Sequence, residues 1–394
     1  MNHDSKQILF LSSISLMSQM MISMINLSLV YYLRDVFQFS PSLIAVSVST
    51  FSISYVIFCI LVEKPSNNFS PRHLIFMSLL GMAISIFLFL NSKSFVLIII
   101  SLILYGAFMA LLWPPMETWY SRGREKIELT KAISYFNLSW ELGMSIAPIF
   151  CGLLTQINVS LPIVVGIVFF LLLSVNVLLI TNRVPYLKAV ESEKQFIKQN
   201  LLKDESTPLR FLSWVAIILG YFFLGMLLNI FPLYGREVLL INETKIGILL
   251  WSRGIISCIA FYYLGKTVFW HFKRSLIIIG QVLLAILSYS SSYITSYNYW
   301  FIMFILFGFI FSLIYMQSIF HGVSGAINRS RRMMIHEVLL TAGMVLGSIF
   351  GGYIYEKVDF RTVMVDFSIF MILVILIEIL FYIIYVNVKQ KKKK

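Results

Sequence analysis

Two ionisable residues of this chain sit inside long apolar stretches: Glu141 in the run from 131 to 156, and Arg253 in the run from 245 to 265. A charge surrounded by hydrocarbon costs a few kcal/mol even on lenient insertion scales, so such a group needs a partner or a function. Glu141 follows Lys131 by ten residues, which at helical rise puts it ~15 Å from that boundary. Arg253 follows Thr244 by nine, ~14 Å from the opposite boundary and hence ~16 Å from the first across a ~30 Å core. A carboxylate and a guanidinium at matched depth are the types required for an ion pair that a proton or a solute can open.

Other candidates lie nearer the membrane faces. Glu117 follows Pro114-Pro115 and is placed to pair with Arg122 or Arg124 as a gate, or to rest as an interfacial carboxylate beside them. His336 and Glu337 come just after Arg331-Arg332 and read either as an inner gate or as a snorkelling pair. Asp366 and Glu378, in the last apolar run, read as interfacial or neutralised carboxylates. Cys59, Cys151 and Cys258 have no paired spacing and read as packing residues. The five histidines are scattered, so neither a metal site nor a cofactor is expected.

These residues must be positioned by membrane helices. Apolar residues make up 59% of the 394 and charged residues 12%, which leaves too little polar surface to solvate a globule of this size. Twelve runs are long and apolar enough to cross a bilayer, the first from 7 to 32, the fourth from 94 to 118, the seventh from 211 to 233 and the last from 362 to 386. The first lacks a small-residue cleavage site and reads as a retained helix. The net charge of +13 does not point to nucleic acid. With both termini inside, most of the 31 Lys and Arg residues fall on inside segments, the bias expected of a multi-pass protein of the cell membrane. The terminal lysines read as contacts with anionic lipid.

The chain also repeats itself. Tyr32-Leu33-Arg34-Asp35-Val36 returns 202 residues later as Tyr234-Gly235-Arg236-Glu237-Val238, and the same offset pairs Arg72 with Arg274 and Gly106 with Gly308. At an offset of 200, Gly143-Met144 pairs with Gly343-Met344 and Gly152 with Gly352. Residues 183 to 210 break the apolar pattern with nine charged or proline positions between 188 and 208. The expected division is therefore a six-helix bundle over 1–182, a cytoplasmic linker over 183–210, and a second six-helix bundle with a basic tail over 211–394. A parallel duplication of this size in a bilayer is a transporter architecture.

Several helices carry a polar stripe at helical period. Helix one has Ser12, Ser15, Gln19, Ser23 and Asn26; helix two has Ser47, Thr50 and Ser54; helix five has Ser134, Asn137, Glu141, Ser145 and Gly152. A lone Ser often bonds only its own backbone, but Gln, Asn and Glu facing lipid would be costly. These faces are expected to line a wet cavity.

With these residues the chain resembles the major facilitator superfamily over nearly its whole length. The most specific local match is Phe136-Asn137-Leu138-Ser139-Trp140-Glu141-Leu142-Gly143 leading to Ala147-Pro148 and Gly152, which is similar to the Gly-Pro motif of helix five; Trp113-Pro114-Pro115 is also in keeping. Three family signatures differ: Glu63, Asn67 and Arg72 stand where the loop after helix two carries Gly, Asp and a basic pair, the loop after helix eight keeps Gly265, Lys273 and Arg274 but has Phe269 in place of the Asp, and Leu102 stands where proton antiporters carry an Arg in helix four. The resemblance implies an all-α fold of twelve helices in two pseudo-symmetric bundles. It also implies packing of helices five and eight across the two halves, and hence an ion pair of Glu141 with Arg253. It further implies a cavity lined by helices one, four, seven and ten, with Gln19, Asn26, Asn137, Trp140, Asn229, Tyr315 and Gln317 as its polar and aromatic contacts.

The expected activity is secondary transport of a small organic solute by alternating access, as proton-coupled efflux by a monomer. Import of a polar nutrient such as a sugar or carboxylate stays open, as does a receptor that does not transport. A lipid-modifying enzyme should show clustered His, Asp or Ser at one membrane face, which is missing here. An ATP-driven pump should show a Gly-rich phosphate loop, also missing.

Overall fold

The computed structural model describes residues 3–66, 69–121, 126–183, 206–324 and 329–391. Most of the expected linker, 184–205, lies outside them. Among the described residues the secondary structure is helical throughout, and twelve spans are long and apolar enough to cross a membrane. Helices are what hydrocarbon demands, because each spanning segment must satisfy its own backbone donors and acceptors.

The elements in chain order are α1 (His3–Asp35), α2 (Pro41–Ser66), α3 (Pro71–Leu90), α4 (Phe95–Met109), α5 (Trp113–Ser121), α6 (Lys126–Ile157) and α7 (Leu161–Arg183). They continue with α8 (Leu209–Asn229), α9 (Phe231–Glu237), α10 (Glu243–Leu264), α11 (Arg274–Ser291), α12 (Tyr297–Val323), α13 (Arg329–Lys357) and α14 (Phe360–Lys391). Their starts are set by short polar side chains and by proline. Pro41 and Pro71 open α2 and α3, where a missing N–H costs nothing. The Asn242 and Asp359 side chains accept hydrogen bonds from the backbone N–H groups of Lys245 and Thr362, at 2.9 and 2.7 Å, and so cap α10 and α14.

Two expected spans are interrupted. The fourth is not one helix from 94 to 118: α4 ends at Met109, residues 110–112 form a turn, and α5 begins at Trp113. Pro114 and Pro115 explain the break, since proline is tolerated in a first turn but removes a hydrogen bond and clashes in an interior. Likewise the seventh run divides into α8 and α9, with Pro232 in the first turn of the second piece. Pro148, by contrast, lies within α6 without ending it.

The chain divides into two compact units, Met1–Asn200 with Leu240–Gly254, and Leu201–Leu239 with Ile255–Lys394. In the first, α1 packs on α6, α3 on α7 and on α4, and α2 on α4. In the second, α8 packs on α13, and α11 on α14 and on α12. There the Ser257 hydroxyl of α10 donates to Gly308 O of α12 at 3.2 Å. Each pairing in one unit thus has its counterpart in the other.

Outward-facing side chains are apolar, among them Phe87, Leu172, Ile286, Leu376 and Phe381, each more than half exposed. Such a surface suits lipid. Many stripe hydroxyls are spent inside the protein. Ser47 is buried and donates to Leu43 O at 2.7 Å, Thr50 to Val46 O at 3.0 Å, and Ser54 crosses to Ile103 O at 2.7 Å, tying α2 to α4. The stripe of helix two thus bonds its own turns at Ser47 and Thr50 and packs on α4 at Ser54.

Candidate functional site

Helix α6 presents two faces to two neighbours within the first unit. On one, a Cβ at Gly143 would run into Leu16 O of α1, so only glycine lets those backbones meet. On the other, α6 meets the 243–254 segment of α10. A Cβ at Gly247 would run into Pro148 O, one at Gly254 into the Ser145 hydroxyl, and one at Gly152 into Glu243 O. This second seam fixes where the charges go. Glu141 lies one turn before Ser145, and Arg253 is the neighbour of Gly254.

The result is an ion pair, Arg253 Nη2 to Glu141 Oε1 at 3.5 Å, with the two side chains 2% and 1% exposed. The separation exceeds the 2.7–2.9 Å typical of a charge-assisted hydrogen bond. Neither carboxylate oxygen of Glu141 makes a hydrogen bond. At 3.5 Å and an effective dielectric near 20, the attraction is about 5 kcal/mol. Desolvation takes several kcal/mol from each ion. Counted over both ions, desolvation offsets or exceeds the attraction, so the contact is held by its surroundings as much as by its charges.

Further polar groups lie on α1, which packs against α6. The Gln19 amide donates to the Ser23 hydroxyl at 3.0 Å, and the Gln19 side chain is enclosed. Asn26 Oδ1 and the Ser15 and Ser18 hydroxyls are buried without hydrogen-bond partners. On α6, Asn137 and Trp140 are both half-buried. Helix α5 carries Glu117, but that side chain lies outside the described residues, as do those of Arg122 and Arg124.

The remaining sequence candidates belong to the second unit and form a separate group. Asn229 donates to the Ser348 hydroxyl at 2.6 Å, joining α8 to α13. Tyr315 packs its ring 5.4 Å from Phe261 and 5.4 Å from His336. His336 Nδ1 lies 2.9 Å from the Ser318 hydroxyl, inside the unit. Glu337 is half-buried, and its backbone carbonyl accepts from the Thr341 hydroxyl at 2.9 Å. Gln317 is fully enclosed, and neither atom of its amide has a hydrogen-bond partner. Two residues along a helix turn it ~200° away from Tyr315, so the two do not share a face.

Sequence reasoning missed the partner Ser318 and the glycines Gly247 and Gly254. The glycine spacing of seven, two helical turns on one face, was the available signal. It also missed His321, whose Nδ1 lies 2.8 Å from the Ser213 hydroxyl while its Nε2 accepts the Phe272 backbone N–H at 3.2 Å. The cysteines are free thiols. No group of metal-binding side chains occurs among the described residues.

A family model described as the Major Facilitator Superfamily matches residues 11–326. No curated protein matches the sequence. Among solved structures, a bacterial homologue of the human lysosomal transporter Spinster, in an inward-facing and occupied conformation, is similar at TM-score 0.77 and 12% identity, covering 96% of this chain and 97% of that one. The nucleoside transporter NupG is similar at TM-score 0.72 and 14% identity, covering 97% and 99%. The human organic anion transporter MFSD10 (TETRAN) is similar at 0.68 and 12%, covering 95% and 99%.

Proposed function

This chain belongs to the Major Facilitator Superfamily of membrane transporters, and we propose that it exports a small organic solute by alternating access, driven by the proton gradient, with Glu141 as the residue that carries the proton. The observation that supports this reading most is the buried Glu141 carboxylate, 3.5 Å from Arg253 and with neither oxygen hydrogen-bonded. A structural pair selected for strength would have close, bidentate geometry. A long contact without a direct hydrogen bond can instead be released when the acid takes a proton, because protonation removes the attraction to Arg253.

In this reading residues 1–182 and 211–394 act as the two moving bundles, joined by a cytoplasmic linker, in a monomer with both termini cytoplasmic. Gln19, Asn26, Asn137, Trp140, Asn229 and Tyr315 contact the solute, and Glu117, His336 and Glu337 serve the cytoplasmic gate. The sequence favours an amphipathic solute, because the helices offer many aromatic and Met side chains and few amides.

The test is transport in proteoliposomes with an imposed pH gradient, using a panel of amphipathic cations, nucleosides and organic anions. Wild type should move at least one class uphill against the proton gradient. Glu141→Gln should lose uphill movement yet still exchange labelled for unlabelled solute, because exchange needs no net proton. Uphill transport at the wild-type rate in Glu141→Gln would overturn the assignment of the proton to this residue.

A further inference from the structure

The second unit contains an apolar groove of about 760 Å³ between α10 and α11, floored by α12. Ala260, Leu264, Leu287 and Ile310 form its buried floor, and Ile286 and Leu306 stand on its rims, each about half exposed. It runs obliquely from Thr267, just past the end of α10, to Ser290 near the far end of α11. The volume lies in the ~300–1,000 Å³ range of small-ligand sites.

Its two ends differ in charge. Beside Thr267, the turn from Gly265 to Arg274 carries Lys266, Lys273 and Arg274 and contains no acidic residue. Lys266 and Lys273 are exposed, and Lys266 Nζ rests 3.9 Å from the centre of the Tyr262 ring. The opposite end offers only the Ser290 hydroxyl, which donates to Ile286 O at 2.9 Å. An apolar groove with an exposed lysine next to the residue at one end, Thr267, is complementary to a molecule with a hydrocarbon chain and an anionic head.

We propose that this groove binds an anionic glycerophospholipid, with one acyl chain laid along α10 and α11 and the phosphate at Lys266 and Thr267. The lysine supplies positive charge, which favours an anionic head over a zwitterionic one that carries its own cation. Under the orientation proposed above, the lipid belongs to the inner leaflet. The site itself does not depend on transport, so it is tested without any flux measurement.

The experiment uses full-length protein, delipidated in detergent and titrated with phosphatidylglycerol or phosphatidylcholine of identical chains, reading thermal unfolding and retained lipid by native mass spectrometry. Phosphatidylglycerol should raise the unfolding temperature by several degrees more than phosphatidylcholine and remain bound at one equivalent. Lys266→Gln should remove at least half of that difference. Leu306→Trp, or Ile286→Trp should the first variant fold poorly, should cut retention about tenfold while melting like wild type without lipid. Equal stabilisation by both lipids in wild type would overturn the proposal. So would full retention in both rim variants, or the same shift from glycerol phosphate, which has a head and no chain.

Discussion

The two repeats share one seam and differ in what they hang on it. In the first, a Cβ at Gly143 would strike Leu16 O and sit 3.2 Å from Gln19 Cβ; in the second, a Cβ at Gly343 would strike Ile218 O and sit 3.1 Å from Tyr221 Cβ. The partners are related by the same offsets as the repeat itself, 200 for the glycines and 202 for Leu16 and Ile218 or Gln19 and Tyr221. Backbone approach at a glycine is a steric requirement with a single solution, so it survived the divergence of the halves. Side chains around it had more freedom. Glu141 stands opposite Thr341, Pro148 opposite Ser348, and Phe51 is the counterpart of Arg253.

That divergence gives the units different characters. In the second, Asn229 is satisfied by Ser348, and His336 meets Ser318. Gln317, His336 Nε2 and both Glu378 oxygens have no hydrogen-bond partner there. In the first, the acid, Asn26 Oδ1 and two serine hydroxyls remain without hydrogen bonds. Repeated arginines show the same pattern at a membrane edge. Arg72 donates to Asn182 of α7 at 2.6 Å, whereas its counterpart Arg274 stacks 4.3 Å over Tyr382 of α14. Duplication conserved the frame and left the side chains on it free to diverge.

The strongest way to break this comparison is to remove a single charge. Arg253→Gln or Glu141→Gln alone should lower stability by ~3–5 kcal/mol, the usual cost of leaving a buried ion without its partner, while the double variant recovers most of the loss. Denaturant unfolding in detergent would show it, and additive losses in the double variant would mean that the two side chains do not interact. The shared seam predicts equality instead of contrast. Gly143→Ala and Gly343→Ala should each cost ~1–3 kcal/mol, because both add a methyl against a neighbouring backbone; thermal unfolding in which only one responds would show that the seams are not equivalent.

A smaller effect is expected where the second unit is satisfied. Ser348→Ala should cost ~1–3 kcal/mol by orphaning the Asn229 amide, and Asn229→Leu combined with it should be milder. At the edge, Asp359→Ala should cost ~1 kcal/mol through loss of the α14 cap. The hydrogen bond from the Thr362 backbone N–H holds the Asp359 carboxyl below its ordinary range. Its contribution is therefore complete above the unfolded carboxylate value and disappears as pH falls through the lower native one, and the difference in stability between wild type and Asp359→Ala should vanish in acid.

Much of the fold was legible because hydrocarbon imposes its own grammar: runs of about 20 apolar residues must be helices, and their number gives the architecture. The repeat was legible as well, since Gly143 and Gly343 keep their spacing. What stayed hidden was local. The break at 110–112 follows from Pro114-Pro115, yet an apolar run reads the same whether one helix or two crosses it. The partners of the helix-two stripe were hidden too, because a serine that bonds Leu43 O in its own helix and one that crosses to Ile103 O have the same letter.

The sequence by itself determined that the chain lives in a bilayer, that it is duplicated, and that Glu141 and Arg253 lie at similar depth, because composition, offset and helical rise are properties of a string. Tertiary structure alone decided which faces meet. The separation of 3.5 Å depends on α6 and α10 closing over Gly152, Gly247 and Gly254, and no count along the chain reports an angle around a helix relative to its neighbour. It also decided that Asn229 is satisfied while the Glu141 oxygens lack hydrogen bonds, since that depends on whether a partner from a distant segment arrives within hydrogen-bonding distance.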